Sequence, residues 1–172
     1  MQSLAPEDVV YVGTSAKSLA PGVRLGWLEL PAALVEDVVA AAHTARGHPS
    51  AVEQLTLAEL IAAGAFDRHV RRARLAYRRR RDRLVGVLSG CAPAVEVSGI
   101  AAGLHALAHL PAADEQELIA RAAARRGLAL QGLGAFTEPG YERGPALVLG
   151  YATPPAHAYT ASLARLRAVL SG

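Results

Sequence analysis

The chain has 172 residues, 52% apolar and 19% charged, and a formal net charge of +3. That size and balance suit one to one and a half globular domains with a real core and exclude a disordered chain. No apolar run reaches the roughly 18 residues of a membrane-crossing helix; MQSLAPEDVVYVG shows no secretory pattern, and Cys91, the single cysteine, precludes an intrachain disulfide, so a cytoplasmic address is expected.

Asp8 to Gly13 is β-branched and aromatic and ends in glycine, which predicts a buried strand. Polar, turn-prone residues follow, and Pro21-Gly22 signals a turn. A second strand is expected over Leu25 to Leu30. Pro31 suits the first turn of a helix, and Leu34, Val35, Val38, Val39 and Ala42 recur at helical spacing. Residues 43–50 read as a loop and Gln54 to Ala63 as a further helix. Ala65 to Ser89 is one long amphipathic helix with Phe66, Val70, Ala73, Tyr77, Leu84 and Leu88 on its apolar stripe. Arg80 and Arg81 interrupt that stripe and can snorkel at its edge. Gly90 is well placed to end the helix.

Past Cys91-Ala92-Pro93 the pattern changes. Val95 to Ser98 alternates, Gly99 to Gly103 is a loop, and Leu104 to Leu110 reads as a strand. Asp114 precedes a helix over Glu115 to Arg126, stopped by Gly127. Leu128 to Gln131 is a short strand, 132–144 a loop, Ala146 to Tyr151 a strand, and Pro154 to Leu170 the last helix. Strand, strand, helix, strand, strand, helix predicts an α/β sandwich whose helices cover a small, mostly antiparallel sheet. The best boundaries lie near residue 50 and at 90–93.

Lys17 is the one lysine against seventeen arginines. A primary amine can shed its proton when its surroundings lower its pKa and then attack a carbonyl; a guanidinium cannot. Depletion of lysine by an Ala- and Arg-heavy composition makes that scarcity weak by itself, and a solvated loop lysine is the plain alternative. The neighbours carry more. Thr14 offers a hydroxyl at a strand's end, and Arg24 a guanidinium able to grip a phosphate with two parallel bonds. Pro21-Gly22 can turn the chain so that Arg24 faces back toward Lys17.

Nine arginines fall between Arg68 and Arg83. They point around most of the helix, so a solvated face is the plain reading and nucleic acid the alternative. His105 and His109 sit four apart, but on an expected strand with no Cys or carboxylate nearby, which disfavours a metal. Cys91 reads as a structural residue in a linker. No phosphate-loop or dinucleotide glycine fingerprint is present.

The segment Val10-Tyr11-Val12-Gly13-Thr14-Ser15-Ala16-Lys17-Ser18-Leu19-Ala20-Pro21-Gly22-Val23-Arg24-Leu25-Gly26-Trp27 closely resembles the cofactor-lysine segment of fold-type-I pyridoxal-phosphate (PLP) proteins. It looks most like the aminotransferase-like domain of MocR-type regulators of the GntR superfamily. Arg71 to Leu84, Gly103-Leu104-His105 and Pro145 to Tyr151 resemble the domain-joining helix and small-domain sheet of the same group. The resemblance implies the C-terminal part of a PLP-dependent transferase fold. Residues 1–63 would be the remnant of the large domain, 64–90 the connecting helix and 91–172 the small α/β domain. It further implies PLP as cofactor, with Lys17 forming the internal aldimine and Thr14 and Arg24 binding the phosphate. Ala16 stands where the family often has serine.

The family draws the partner of the pyridine nitrogen and the ring that stacks on the cofactor from segments well upstream of the lysine, so the chain is expected to be part of a longer protein and inactive alone. The expected function is a PLP-binding effector domain of a MocR/GntR-type transcriptional regulator, sensing an amine or amino acid. It would work as a homodimer and touch DNA only through an N-terminal domain outside this chain. The alternative is part of a fold-type-I aminotransferase, with Lys17 as its acid–base group. Ala135 stands where a substrate-carboxylate arginine is sought; Arg143 is the nearby substitute, though it reads first as a solvated loop residue.

Overall fold

The structure, a computed structural model, describes residues 2–46, 49–91, 95–99, 103–110, 115–124, 128–138, 140 and 144–171. The chain divides into two compact units, Met1–Ala73 and Arg74–Gly172. The division falls inside the long helix.

In the first unit a short 3-10 turn, Gln2–Leu4, precedes strand β1 (Tyr11–Thr14), which pairs antiparallel with β2 (Gly26–Glu29). The register sets Gly13 opposite Trp27 and Thr14 opposite Gly26. A 3-10 turn, Pro21–Val23, lies between the strands, and another, Ala32–Leu34, leads into α1 (Val35–Arg46). Helix α2 (Ala51–Ala62) starts three residues before its expected position, because the Ser50 side chain accepts the Glu53 N–H and caps it. Gly64, at φ 64°, supplies the left-handed turn between α2 and α3 (Ala65–Cys91).

The strand expected to be buried is open: Tyr11 is 49% exposed and Val12 69%. Among the described residues of this unit only Ser15, Leu25 and Pro31 are buried. The run is apolar enough for a core strand, but no described element of the unit covers it.

The second unit holds a four-stranded antiparallel sheet, ordered β3 (Glu96–Ser98), β4 (His105–His109), β6 (Ala146–Gly150), β5 (Gln131–Gly132). Helices α4 (Glu115–Ala123) and α5 (Tyr159–Leu170) complete the expected sandwich. Alternate residues of β4 and β6, Ala106 and Ala108 with Leu147 and Leu149, share one core with Leu84 and Leu88 of α3, Leu118 and Ala122 of α4, and Leu163, Leu166 and Val169 of α5.

Several boundaries differ from expectation, and α1 runs on to Arg46 although residues 43–50 read as a loop. Helix α3 runs through Gly90 to Cys91, so Cys91 ends a helix and is not in a linker; the buried Leu84 and Leu88 anchor its last turns against the roughly 1 kcal/mol that glycine costs inside a helix. The strand expected over Leu128 to Gln131 shrinks to two paired residues, Gln131 and Gly132. The last helix starts at Tyr159, since Pro154 and Pro155 belong to the bends and turns before it. Asp114, Gly127 and Arg143 lie outside the described residues.

Candidate functional site

The loop bearing Lys17 is held at its base by one carbonyl. Leu25 O accepts the Ser15 N–H at 3.0 Å, the Ser15 hydroxyl at 2.9 Å and the Thr14 hydroxyl at 3.3 Å. Ser15 is fully buried. Its own carbonyl accepts the N–H groups of Ser18 at 3.2 Å and Leu19 at 2.8 Å, which winds residues 15–19 into a tight turn with exposed Lys17 inside it. The Thr14 hydroxyl also accepts the Ala16 N–H at 3.1 Å.

These bonds join Thr14 to the carbonyl of Leu25, the residue after Arg24. A carbonyl has two lone pairs, and three donors converge on Leu25 O. The Thr14 bond is the longest of the three, so its hydroxyl is the donor most readily released to another acceptor. Arg24 is exposed and holds φ 52°, the one non-glycine residue with positive φ among those described. A left-handed arginine costs about 1–2 kcal/mol, and such strain concentrates at ligand-holding positions. Among the described residues neither Lys17 nor Arg24 makes a hydrogen bond or ion pair with protein.

Two glycines shape the hairpin. The Trp27 indole lies over Gly13 so closely that a Cβ there would overlap the ring. Gly26 leaves room for the Gly13 carbonyl, 3.1 Å from where its Cβ would be. Sequence reasoning singles out Thr14, Lys17 and Arg24 and passes over Ser15, the residue whose bonds hold the turn. Its signal is present: a small hydroxyl directly after a strand is suited to bond backbone.

The remaining candidates resolve as follows. His109 Nε2 lies 2.6 Å from Ser98 Oγ on the neighbouring strand, and no group of three metal-binding side chains occurs among the described residues. Ala135 is exposed on a 3-10 turn, Leu133–Phe136. Of the arginines on α3, Arg80 Nη1 donates to the carbonyls of Tyr151 at 3.3 Å and Ala152 at 2.9 Å, and Arg83 Nη2 donates to Thr160 Oγ1 at 2.9 Å. Arg72, Arg74, Arg78 and Arg79 make no hydrogen bond or ion pair among the described residues.

No family model matches the chain. It is 35% identical over 134 residues to the uncharacterized HTH-type transcriptional regulator YhdI of Bacillus subtilis, which covers 76% of this chain and 28% of that protein. It is 32% identical over 178 residues to the HTH-type transcriptional regulator TauR of Rhodobacter capsulatus, covering 99% of this chain and 37% of TauR. The chain thus spans about a third of the length of these regulators. Among solved structures it resembles LysN, the α-aminoadipate aminotransferase of Thermus thermophilus complexed with N-(5'-phosphopyridoxyl)-L-leucine, at a TM-score of 0.85 and 24% identity over 98% of this chain and 43% of LysN. Described helices are not long and apolar enough to cross a membrane. The chain is a homologue of the MocR-, TauR- and PdxR-type HTH regulators and has the α/β fold of the C-terminal, aminotransferase-like part of type I PLP-dependent proteins.

Proposed function

We propose that this chain is part of the PLP-binding effector domain of a MocR-type transcriptional regulator, with Lys17, Thr14 and Arg24 as its cofactor contacts. The observation that carries the reading is the hairpin itself. An amine and a guanidinium, each without a partner among the described residues, stand on one strand–turn–strand unit, with a releasable hydroxyl bonded to the carbonyl of the residue after the arginine. The donor set fits a phosphorylated aldehyde: cations and a hydroxyl for the phosphate, and an amine for the carbonyl.

When bound, PLP supplies an aldehyde for covalent capture and an electron-withdrawing ring. The chain's own residues do the rest. Lys17 offers the amine from a turn fixed by buried Ser15. Arg24 neutralises phosphate charge and orients it through two parallel N–H bonds. Thr14 turns its proton from Leu25 O to a phosphate oxygen and keeps the Ala16 N–H as donor to itself. An amine or amino-acid effector would compete with Lys17 for the same aldehyde, and the 15–19 turn is the element that would register that exchange. A cytoplasmic homodimer completes the proposal. The likeness to LysN bears on fold alone, so the regulator reading is preferred to turnover.

The sole lysine makes the test clean, because the N-terminal amine is the one other primary amine. The chain is incubated with PLP, reduced with borohydride, digested and mapped by mass spectrometry. Because the family takes the nitrogen partner and the stacked ring from upstream segments, labelling at Lys17 should be weak, yet exceed that of the N-terminus, be competed by inorganic phosphate, and fall in Arg24→Gln. Labelling of Lys17 no stronger than that of the N-terminus, and indifferent to phosphate, would refute the site.

A further inference from the structure

We propose that the exposed arginines of α3 in the second unit, Arg74, Arg78 and Arg79, bind the phosphate backbone of double-stranded DNA without reading its sequence. The proposal uses no residue of the Lys17 hairpin, stands or falls apart from it, and departs from the expectation that DNA is reached only through an N-terminal domain outside this chain.

The three side chains are exposed and have no partner among the described residues. Asp82 lies within a turn of Arg78 and Arg79, yet forms no ion pair with either. Arg74 and Arg78 are four apart, and like charges at that spacing repel along a helix. The helix keeps these unpaired charges although nearby arginines are used: Arg80 and Arg83 meet backbone carbonyl and hydroxyl acceptors. A polyanion laid along the helix would relieve the repulsion.

The geometry favours duplex backbone over other polyanions. Arg74 and Arg78 stand about 6 Å apart along the helix axis, close to the roughly 7 Å of duplex axis between alternate phosphates of one strand. Guanidinium groups grip phosphates bidentately. No aromatic side chain of α3 is exposed among the described residues, since Phe66 and Tyr77 are half-buried, so the stacking platform that single strands need is missing. Leu75 is the one exposed large apolar residue of α3 among those described, too little to enter a membrane. Interactions of this kind position a protein on DNA and carry no base readout.

The test measures binding of the 172-residue chain to a short labelled duplex of arbitrary sequence at rising salt. The triple variant Arg74→Gln, Arg78→Gln, Arg79→Gln should lower the magnitude of the log–log salt slope by about 2 to 3, since each phosphate that is no longer neutralised takes away roughly 0.9. A control, Arg121→Gln, Arg165→Gln, Arg167→Gln, removes as many charges elsewhere on the unit and should leave the slope nearly intact. Lysine at 74, 78 and 79 should restore binding, which also shows that the helix itself stays folded. Equal losses in both triple variants would reduce the effect to net charge and overturn the proposal. Tighter binding to polyglutamate than to duplex would overturn it in favour of an acidic protein partner, and absence of salt-dependent binding by the parent chain would end it. Labelling of Lys17 by PLP stays unchanged in the α3 variant.

Discussion

The Arg80 guanidinium carbon stands 5.0 Å from the centre of the Tyr159 ring, and the Tyr159 hydroxyl donates a 2.6 Å hydrogen bond to the Arg80 carbonyl. The same guanidinium reaches the carbonyls of Tyr151 and Ala152 just after β6. One arginine therefore ties α3 to the first turn of α5 and to the strand between them. Arg80→Met keeps the stem but leaves two carbonyls without a charged donor, which should cost about 2 kcal/mol. Tyr159→Phe should cost about 1 kcal/mol. The double variant should cost less than the sum, because the two share one network. Urea unfolding followed by circular dichroism measures all three; a loss in Arg80→Met no larger than in exposed Arg78→Met would deny Arg80 this role.

The same tyrosine sets a pH dependence. Burial raises the Tyr159 pKa above its ordinary 10, while Arg80 and Arg83 pull it down less strongly. Burial likewise raises Tyr151 against the opposing charge of Arg81. The unfolded chain releases these protons first. The stability they confer is fully present below about pH 10 and is lost as pH rises through the folded values. Unfolding free energy should thus decline through the alkaline range, and Tyr159→Phe should flatten the decline. A parent profile already flat there would contradict the assignment.

Glu115 gives a third test. It is 8% exposed at the start of α4, and its carboxylate accepts the N–H of Ala146 at 2.7 Å and of Gly134 at 3.4 Å. The carboxylate fills the place a Cβ on Gly132 would take. Glu115→Ala should cost about 1–3 kcal/mol, the penalty for a buried amide left without its acceptor. Gly132→Ala should cost a similar amount by overpacking. Thermal unfolding of each variant decides it; an unchanged midpoint in Gly132→Ala would mean the carboxylate moves aside freely.

How far the sequence can be read follows from where each signal resides. The second unit is legible in its order of elements, because alternation in β4 and β6 and the spacing of Leu163, Leu166 and Val169 reflect burial against one core. The Glu115 clamp is not, since an acid in a first helical turn reads as a dipole partner and the amides it accepts lie far along the chain. Gly90 misleads because glycine stops helices only where burial does not hold them. In the first unit both strands are foreseen within three residues of their ends, but apolar Val12 and Leu28 cannot reveal that they lie open. Ser50 and Glu53 spell a capping box that marks the true start of α2.

Trp27 offers a direct optical test, being the sole tryptophan. Its indole lies across Gly13 with no room for a Cβ. Gly13→Ala must push the ring off the strand and loosen the pairing that carries Thr14. The emission maximum should shift to the red, and phosphate-sensitive labelling of Lys17 by PLP should weaken with it. An emission spectrum identical to that of the parent would show that the ring does not rest on Gly13.

Arg24 separates binding from backbone strain. Its left-handed φ of 52° costs an arginine about 1 kcal/mol or more, and glycine carries no such penalty. Arg24→Gly should stabilise the hairpin while lowering the proposed hold on phosphate, two effects of opposite sign from one substitution. Arg24→Asn, which also tolerates that backbone, should show weaker phosphate binding with a smaller gain in stability. Arg24→Lys keeps the charge and the strain but loses the paired N–H geometry, so phosphate competition should weaken with stability unchanged. Hydrogen exchange at the amides of Ser15 and Leu19 reports the hairpin, and phosphate competition against PLP labelling reports the grip. If both readouts moved together across the series, the strained backbone and the anion grip would be one property, and the guanidinium would have no separate role at the site.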